Sequence, residues 1–295
     1  MKFITFKNKV DQSFGIGIIS EEGTINLQQV FKDYLKKDFF PNTMIEWIKE
    51  YENWKDELKH LVELDKQYFL HTTDIEILAP IPRPRKNIFC VGKNYKEHAI
   101  EMGSEADIPT DPMLFSKLPT SVIGPEQDIL SHSHVTQALD YEGELAVVIG
   151  KEGKDIPKEE AMEYIFGYTI INDVTARDRQ KKHKQFLLGK SLDTFCPMGP
   201  YIVHKDEIKD PHKLSIETRV NGEVRQSSNT KQLIFDIPTL ISVISEGTTL
   251  EVGDIIATGT PAGVGSGFKP PRYLSTGDLI EIEITGIGIL RNTVS

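Results

Sequence analysis

The sequence predicts an α+β fold rich in strands, with a small α+β domain ahead of it. Two observations carry that expectation. Short β-branched runs separated by Gly- and Pro-rich turns dominate from residue 88 onward. A proline-dense stretch, Pro80-Ile-Pro82-Arg-Pro84-Arg, falls where neither a helix interior nor a central strand tolerates it. At 295 residues the chain is long enough for two domains of ~100–200 residues, and we place them at residues 1–80 and 81–295.

Taken in order, Phe14–Ile19 and Thr24–Asn26 read as short strands around the turn signal Glu21-Glu22-Gly23. Two helices follow. The second opens on Thr43-Met-Ile-Glu46, a capping box. Its apolar residues Met44, Trp47, Ile48, Tyr51, Trp54, Leu58, Leu61 and Val62 recur at three and four, as one buried stripe does. Beyond the prolines, strands are expected at Ile88–Val91, Leu145–Ile149, Thr169–Ile171, Ile216–Val220, Ile255–Thr258 and Leu279–Thr285. Helices are expected at about Lys158–Ile165, Ala176–Phe186 and Pro238–Ser245. Two Gly-Asp turns, Gly253-Asp254 and Gly277-Asp278, lead into strands in the same way.

Composition excludes several classes. A net charge of −10 argues against nucleic acid as the main partner. The one basic run, Lys181-Lys182-His183-Lys184, reads as a solvated helix face. There is no run of ~18 apolar residues to span a bilayer. The N-terminus lacks a secretory apolar region and cleavage site, so a cytoplasmic protein is expected. Cys90 and Cys196 are too few and too far apart for a disulfide framework or thiolate zinc site, and read as small buried residues.

The most informative stretch is Asp140-Tyr-Glu142-Gly-Glu144, running into Leu145–Ile149. Strand side chains alternate, so Asp140, Glu142 and Glu144 point the same way, and the apolar continuation takes them into the core. Carboxylates at i and i+2 on an inner face repel each other and lose hydration. A bound cation resolves the conflict; a solvated face paired with Lys and Arg is the other reading. Asp173, at the end of the apolar strand Tyr168–Asn172, is placed to face the same cleft. Three carboxylates without cysteine make an all-oxygen ligand set, suited to Mg²⁺ or Mn²⁺, with Ca²⁺ also admissible. His132 and His134, without a third ligand nearby, read as surface residues.

Five motifs, in order, resemble those of the fumarylacetoacetate hydrolase family. They begin with Cys90-Val-Gly-Lys-Asn-Tyr-Lys-Glu-His98-Ala-Ile-Glu101, then Asp140 to Gly150 and Asn172-Asp173-Val-Thr-Ala-Arg177-Asp-Arg-Gln180. Gly189-Lys190 to Pro200 and Ala257-Thr-Gly-Thr260-Pro-Ala-Gly-Val-Gly265 complete the series. The resemblance covers about residues 80–295 and implies a rolled mixed β-sandwich. It implies that Glu142, Glu144 and Asp173 ligate Mg²⁺ or Mn²⁺. Lys190, Arg177, Gln180 and Thr260 would bind and polarise the substrate, and His98 with Glu101 would handle protons. Lys93 stands where relatives often carry Arg, and a lysine cannot form a bidentate fork. A homodimer is implied too.

Residue physics agrees with several of these roles. His98 and Glu101 are three apart and share a helix face. The stretch Gly103 to Pro119 reads as a mobile lid. Gly189-Lys190-Ser is not a phosphate loop, because the required glycine falls at Lys184. The glycines from Gly259 to Gly267 read as a loop whose bare backbone can approach an anion. The implied chemistry acts on a small 2-oxo or 2,4-dioxo acid through a metal-stabilised enolate. Hydrolysis of an acylpyruvate or fumarylpyruvate, or decarboxylation of oxaloacetate, is the expectation. Tautomerisation or isomerisation of oxaloacetate- or hydroxymuconate-type acids is the alternative. A binding protein with a structural Ca²⁺ is the non-enzymatic one.

Overall fold

The computed structural model describes residues 1–20, 23–37, 40–58 and 68–295. Glu21 and Glu22 of the first turn, and Leu61 and Val62 of the helical stripe, lie outside them. Among the described residues, twelve strands share one mixed sheet. Its middle runs Lys2–Asn8, Cys196–His204, Ile165–Asn172, Gly143–Ile149, Ile255–Ala257, Ile88–Gly92, Met113–Lys117. Neighbours are antiparallel except where Ile255–Ala257 meets Ile88–Gly92 and where Val122–Ile123 meets Cys196–His204. A second, four-stranded antiparallel sheet is ordered Glu223–Asn229, Ser215–Val220, Leu279–Ile284, Gly288–Thr293.

The strand Gly143–Ile149 is buried throughout, and its alternation explains the layering. Leu145, Val147 and Ile149 point into a core shared with the four-stranded sheet and the helix Ile237–Ser245. Ala146 and Val148 point the other way, into a core shared with the helix Met44–Leu58. A strand with apolar side chains on both faces is the central layer of a sandwich. Full burial of each Leu, Ile or Val contributes roughly 1.5–3 kcal/mol.

The helix Met44–Leu58 starts as its sequence dictates: the Glu46 amide donates to Thr43 Oγ1 at 3.2 Å, while Glu46 Oε2 accepts from the Asn42 amide at 2.9 Å. Met44, Trp47, Ile48, Tyr51 and Leu58 form its buried face. The two Gly-Asp turns are alike: Gly253 and Gly277 adopt φ of 88° and 93°, open to glycine at little cost. Asp254 and Asp278 each accept from the amide three residues earlier, at 2.8 Å.

Three expectations differ from the structure. Lys158–Ile165 is not an α-helix; a 3-10 turn at Ala161–Tyr164 is all that fits before the strand Ile165–Asn172 begins. The helix expected over Ala176–Phe186 spans Arg177–His183, breaks at Lys184 with φ 60°, and is followed by Leu187–Lys190. The expected lid is shorter, because Met113–Lys117 is a strand paired with Ile88–Gly92. The proline-rich stretch is packed rather than free: Ile81 is buried and Thr5 Oγ1 donates to the Pro80 carbonyl at 2.6 Å.

Candidate metal centre and active site

Strand pairing brings the acids together. Gly143–Ile149 and Ile165–Asn172 are antiparallel with Gly143 opposite Asn172, so one strand starts where the other ends. The Asp173 amide donates to the Glu142 carbonyl at 2.8 Å, and the Glu142 amide to Asn172 Oδ1 at 3.1 Å. Glu142, Glu144 and Asp173, all buried, each offer an oxygen within 4.8 Å of the other two. Asp140 does not join them. The ladder lapses at Tyr141 and Glu142, and Asp140 instead pairs with Arg177 and accepts from the Gly265 and Ser266 amides.

Three buried cations surround the group. Lys190 Nζ donates to Glu142 Oε2 at 2.6 Å and to Asp173 Oδ2 at 2.8 Å. Arg177 donates from Nη2 to Glu142 at 2.6 Å, from Nε to Asp140 at 2.8 Å and from Nη1 to Gln180 Oε1 at 3.2 Å. Expected at the substrate, Arg177 thus has three nitrogens committed to protein partners. Lys117, which no sequence motif marks, is fully buried and donates to Asp173 Oδ1 at 2.6 Å, to the Val174 carbonyl at 3.1 Å and to the Lys190 carbonyl. It ends the strand that takes up the second half of the expected lid, and a lysine after apolar residues carries no sequence signal of its own.

Four buried carboxylates, Asp140, Glu142, Glu144 and Asp173, therefore face three buried cations, Lys117, Arg177 and Lys190. Glu144 bears the shortfall. Burial, reinforced by repulsion from Asp173 and Glu142, pushes its carboxyl well above the usual range. Glu142 moves the other way: burial would raise it, but Lys190, Arg177 and His98 outweigh burial and hold it low. An all-oxygen trio with uncompensated negative charge fits a hard divalent cation and not a thiolate-preferring one. Glu142, Glu144 and Asp173 would hold that ion.

Two of the trio, Glu142 and Glu144, border a cavity of about 430 Å³. Glu142, Glu144, Arg177, Gln180, Lys190, Thr260 and His98 line it, while Asp173 and Glu101 lie behind the lining. His98, on the helix Lys96–Glu101, is buried with Nδ1 at 3.2 Å from Glu101 Oε2. Thr260 Oγ1 accepts from Gln226 Nε2 at 2.7 Å, and Gln226 Oε1 accepts from the Gly143 amide at 3.0 Å. Gln226, on a strand of the small sheet, is a further residue the sequence did not single out.

The glycine loop does approach anions, and they are the protein's own. The amides of Gly259 and Gly263 donate to Glu144 and Glu101, at 2.8 and 2.9 Å. Gly263 has φ 102° and lies so close to Arg225 that a Cβ would sit 1.9 Å from its carbonyl oxygen. His132 and His134 stay outside the trio, with the His132 ring nitrogen Nε2 3.0 Å from the Asp193 carbonyl. Burial pushes the Cys90 thiol well above its usual range and that of Cys196 to about 12, so neither is a thiolate.

The family model for the fumarylacetoacetate (FAA) hydrolase C-terminal domain matches residues 87–295. Oxaloacetate tautomerase YisK of Bacillus subtilis is 51% identical over 301 residues, with all of both chains covered. A fumarylacetoacetate hydrolase from psychrophilic Exiguobacterium antarcticum is 44% identical with a TM-score of 0.83, covering 100% of this chain and 99% of that one. Maleylpyruvate hydrolase from Sphingobium sp. SYK-6, in complex with manganese(II) and pyruvate, is 28% identical with a TM-score of 0.78 at 100% and 98% coverage. No helix among the described residues is long and apolar enough to cross a membrane. The mixed sandwich, the buried carboxylate trio and these matches converge: the chain is an enzyme of the fumarylacetoacetate hydrolase family.

Proposed function

We propose that the enzyme moves a proton between the keto and enol forms of a small 2-oxo acid of the oxaloacetate type, with Mg²⁺ or Mn²⁺ on Glu142, Glu144 and Asp173. The observation that supports it is the placement of Glu142, Glu144 and the buried His98 on one cavity, with Asp173 and the half-buried Glu101 behind them. A divalent ion held by the trio supplies a Lewis acid for the 2-oxo group.

The protein's own groups do the rest. Glu101, fixed by the Gly263 amide, orients the His98 ring through Nδ1. The other ring nitrogen then takes the proton from the carbon beside the oxo group and returns it to oxygen. The Lys190 ammonium offsets the negative charge of the resulting enolate. Glu142 is kept ionised by Lys190 and Arg177 and so would be available to hold the ion. Cleavage of an acylpyruvate, or loss of CO₂ from oxaloacetate, would use the same enolate. Hydrolysis is the second reading, favoured by the likeness to the maleylpyruvate hydrolase. Membership of an enzyme family sets the Ca²⁺-binding-protein reading aside. We take the enzyme to act as a homodimer, which light scattering checks.

Loss of enol absorbance from oxaloacetate, and cleavage of acylpyruvates, would be followed before and after EDTA and after adding back Mg²⁺ or Mn²⁺. EDTA should abolish turnover and the metals restore it, while Glu142→Ala should lower Mn²⁺ affinity by about 100-fold or more, beyond the effect of losing an outer-shell partner. Undiminished activity in protein shown by metal analysis to be free of divalent ions would overturn the proposal.

A further inference from the structure

The side-chain amide of Gln226 is fully buried on the strand Glu223–Asn229 of the small sheet, and its surroundings leave it one orientation. Its Oε1 accepts from the Gly143 amide at 3.0 Å. Its Nε2 donates to the Pro261 carbonyl at 2.8 Å and to Thr260 Oγ1 at 2.7 Å. A backbone N–H can only donate and a backbone carbonyl can only accept. A flipped amide would therefore set donor against donor at Gly143 and acceptor against acceptor at Pro261.

Gly143 makes this approach possible. It stands between Glu142 and Glu144, where a Cβ would lie 2.4 Å from Thr218 Oγ1 and 3.4 Å from Gln226 Oε1. Thr218 is the direct partner of Gln226 on the neighbouring strand. The small sheet thus meets the strand of Glu144 at a residue without a side chain, and the glutamine reaches through to Thr260.

Thr260 is buried and lines the cavity, whereas Gln226 does not. A hydroxyl accepts and also has one hydrogen to give. Because Gln226 donates to the Thr260 oxygen, that hydrogen cannot point at Gln226. No acceptor takes it among the described residues. A buried donor left unmet is costly, so one on a cavity wall favours an occupant that brings an oxygen to it. We infer that Gln226 is a positioning residue, which fixes the Thr260 hydroxyl as a donor toward an oxygen of the bound 2-oxo acid. The inference rests on the 2-oxo acid reading given above, whichever reaction follows.

Calorimetric binding of pyruvate to Mn²⁺-loaded protein tests it without turnover. Thr260→Val should weaken binding roughly 10- to 100-fold, the worth of a hydrogen bond to an anion, and Thr260→Ser, which keeps the hydroxyl, should bind like wild type. Gln226→Met should cost about threefold, because the hydroxyl then samples three staggered positions in place of one. Gln226→Glu keeps an acceptor for Gly143 but offers at most one O–H where the amide gave two N–H groups, and should cost about tenfold or more. With Thr260→Val already in place there is no hydroxyl to turn. Gln226→Met should then cost nothing further, and Gln226→Glu clearly less than before. If Gln226→Met fails to fold, Gln226→Glu carries the same comparison. Unfolding midpoints, by contrast, should fall alike in both backgrounds, since the bonds to Gly143 and Pro261 do not pass through Thr260. Equal losses of pyruvate affinity in the two backgrounds would leave Gln226 a structural role alone and overturn the inference. The coupling found in a protein that turns over no 2-oxo acid would fail the proposed reaction and leave this inference standing.

Discussion

Lys117 shows how the ligand set is held from behind. Its ammonium is wholly buried and joins Asp173, Val174 and Lys190 without lining the cavity. Removing one partner of a buried ion pair leaves the other charge uncompensated, which costs about 3–5 kcal/mol. Lys117→Met should lose stability of that order in urea denaturation with EDTA present; a midpoint and slope matching wild type would show that Asp173 needs no such partner. At this scale much of the site was legible in the sequence. Carboxylates two apart ahead of a core strand call for a metal ion or for Lys and Arg nearby, and the family motifs pointed to His98, Glu101 and Lys190, which the structure gathers beside them. Lys117 was not legible, because its role comes from a strand end meeting Asp173, 56 positions away. Neither was the true partner of Asp140, which strand alternation assigned to the side of Glu142 and Glu144 and the fold gave to Arg177 and the glycine loop.

Between elements, the contact of strand and helix is set by His204. It ends the strand Cys196–His204 and packs against Tyr51 of the helix Met44–Leu58 and against Phe166, with centroids 4.6 and 5.2 Å apart. Burial lowers its pKa below the ordinary 6.5, and Lys205 and the N-terminus add to that, while Asp206 and Glu52 oppose it. The unfolded chain therefore binds this proton more readily. The stability due to His204 is present above about pH 6.5 and is lost as pH falls through the lowered folded-state pKa. Replacing His204 with Gln should remove that part of the acid sensitivity. Thermal unfolding from pH 7.5 to 5 should show the wild-type advantage over the variant shrinking with acidification, and a gap constant across pH would refute the assignment. Elements with strong periodicity, such as this helix, were readable from sequence. Those set by what the chain does next were not: Lys158–Ile165 has helical composition, yet the strand from Ile165 takes its last residue and tertiary pairing wins.

For the molecule as a whole, the sequence divides at the prolines and the family match begins at residue 87, yet the packing runs across that point. Lys2 and Phe3 pair with Val203 and Ile202, so the N-terminal strands extend the sheet that carries the site. Phe3, Phe31, Trp47 and Tyr51 share a core with Ala146, Val148, Phe166 and Met198. Such long-range pairing leaves little local trace, since each strand shows its own alternation but not its neighbour. Ala146 and Val148 lie on the strand that begins beside Glu142 and carries Glu144, so one layer supports the ligands and receives the N-terminal helix. Residues 81–295 produced alone would leave Ile202 and Val203 of the strand Cys196–His204 without their partner strand and an apolar sheet face open to water, both of which favour association over folding. We expect that fragment to aggregate, or to lack a cooperative unfolding transition, in analytical sizing and calorimetry. A monodisperse fragment that unfolds cooperatively and still binds Mn²⁺ would show instead that the catalytic layer stands without its N-terminal cover.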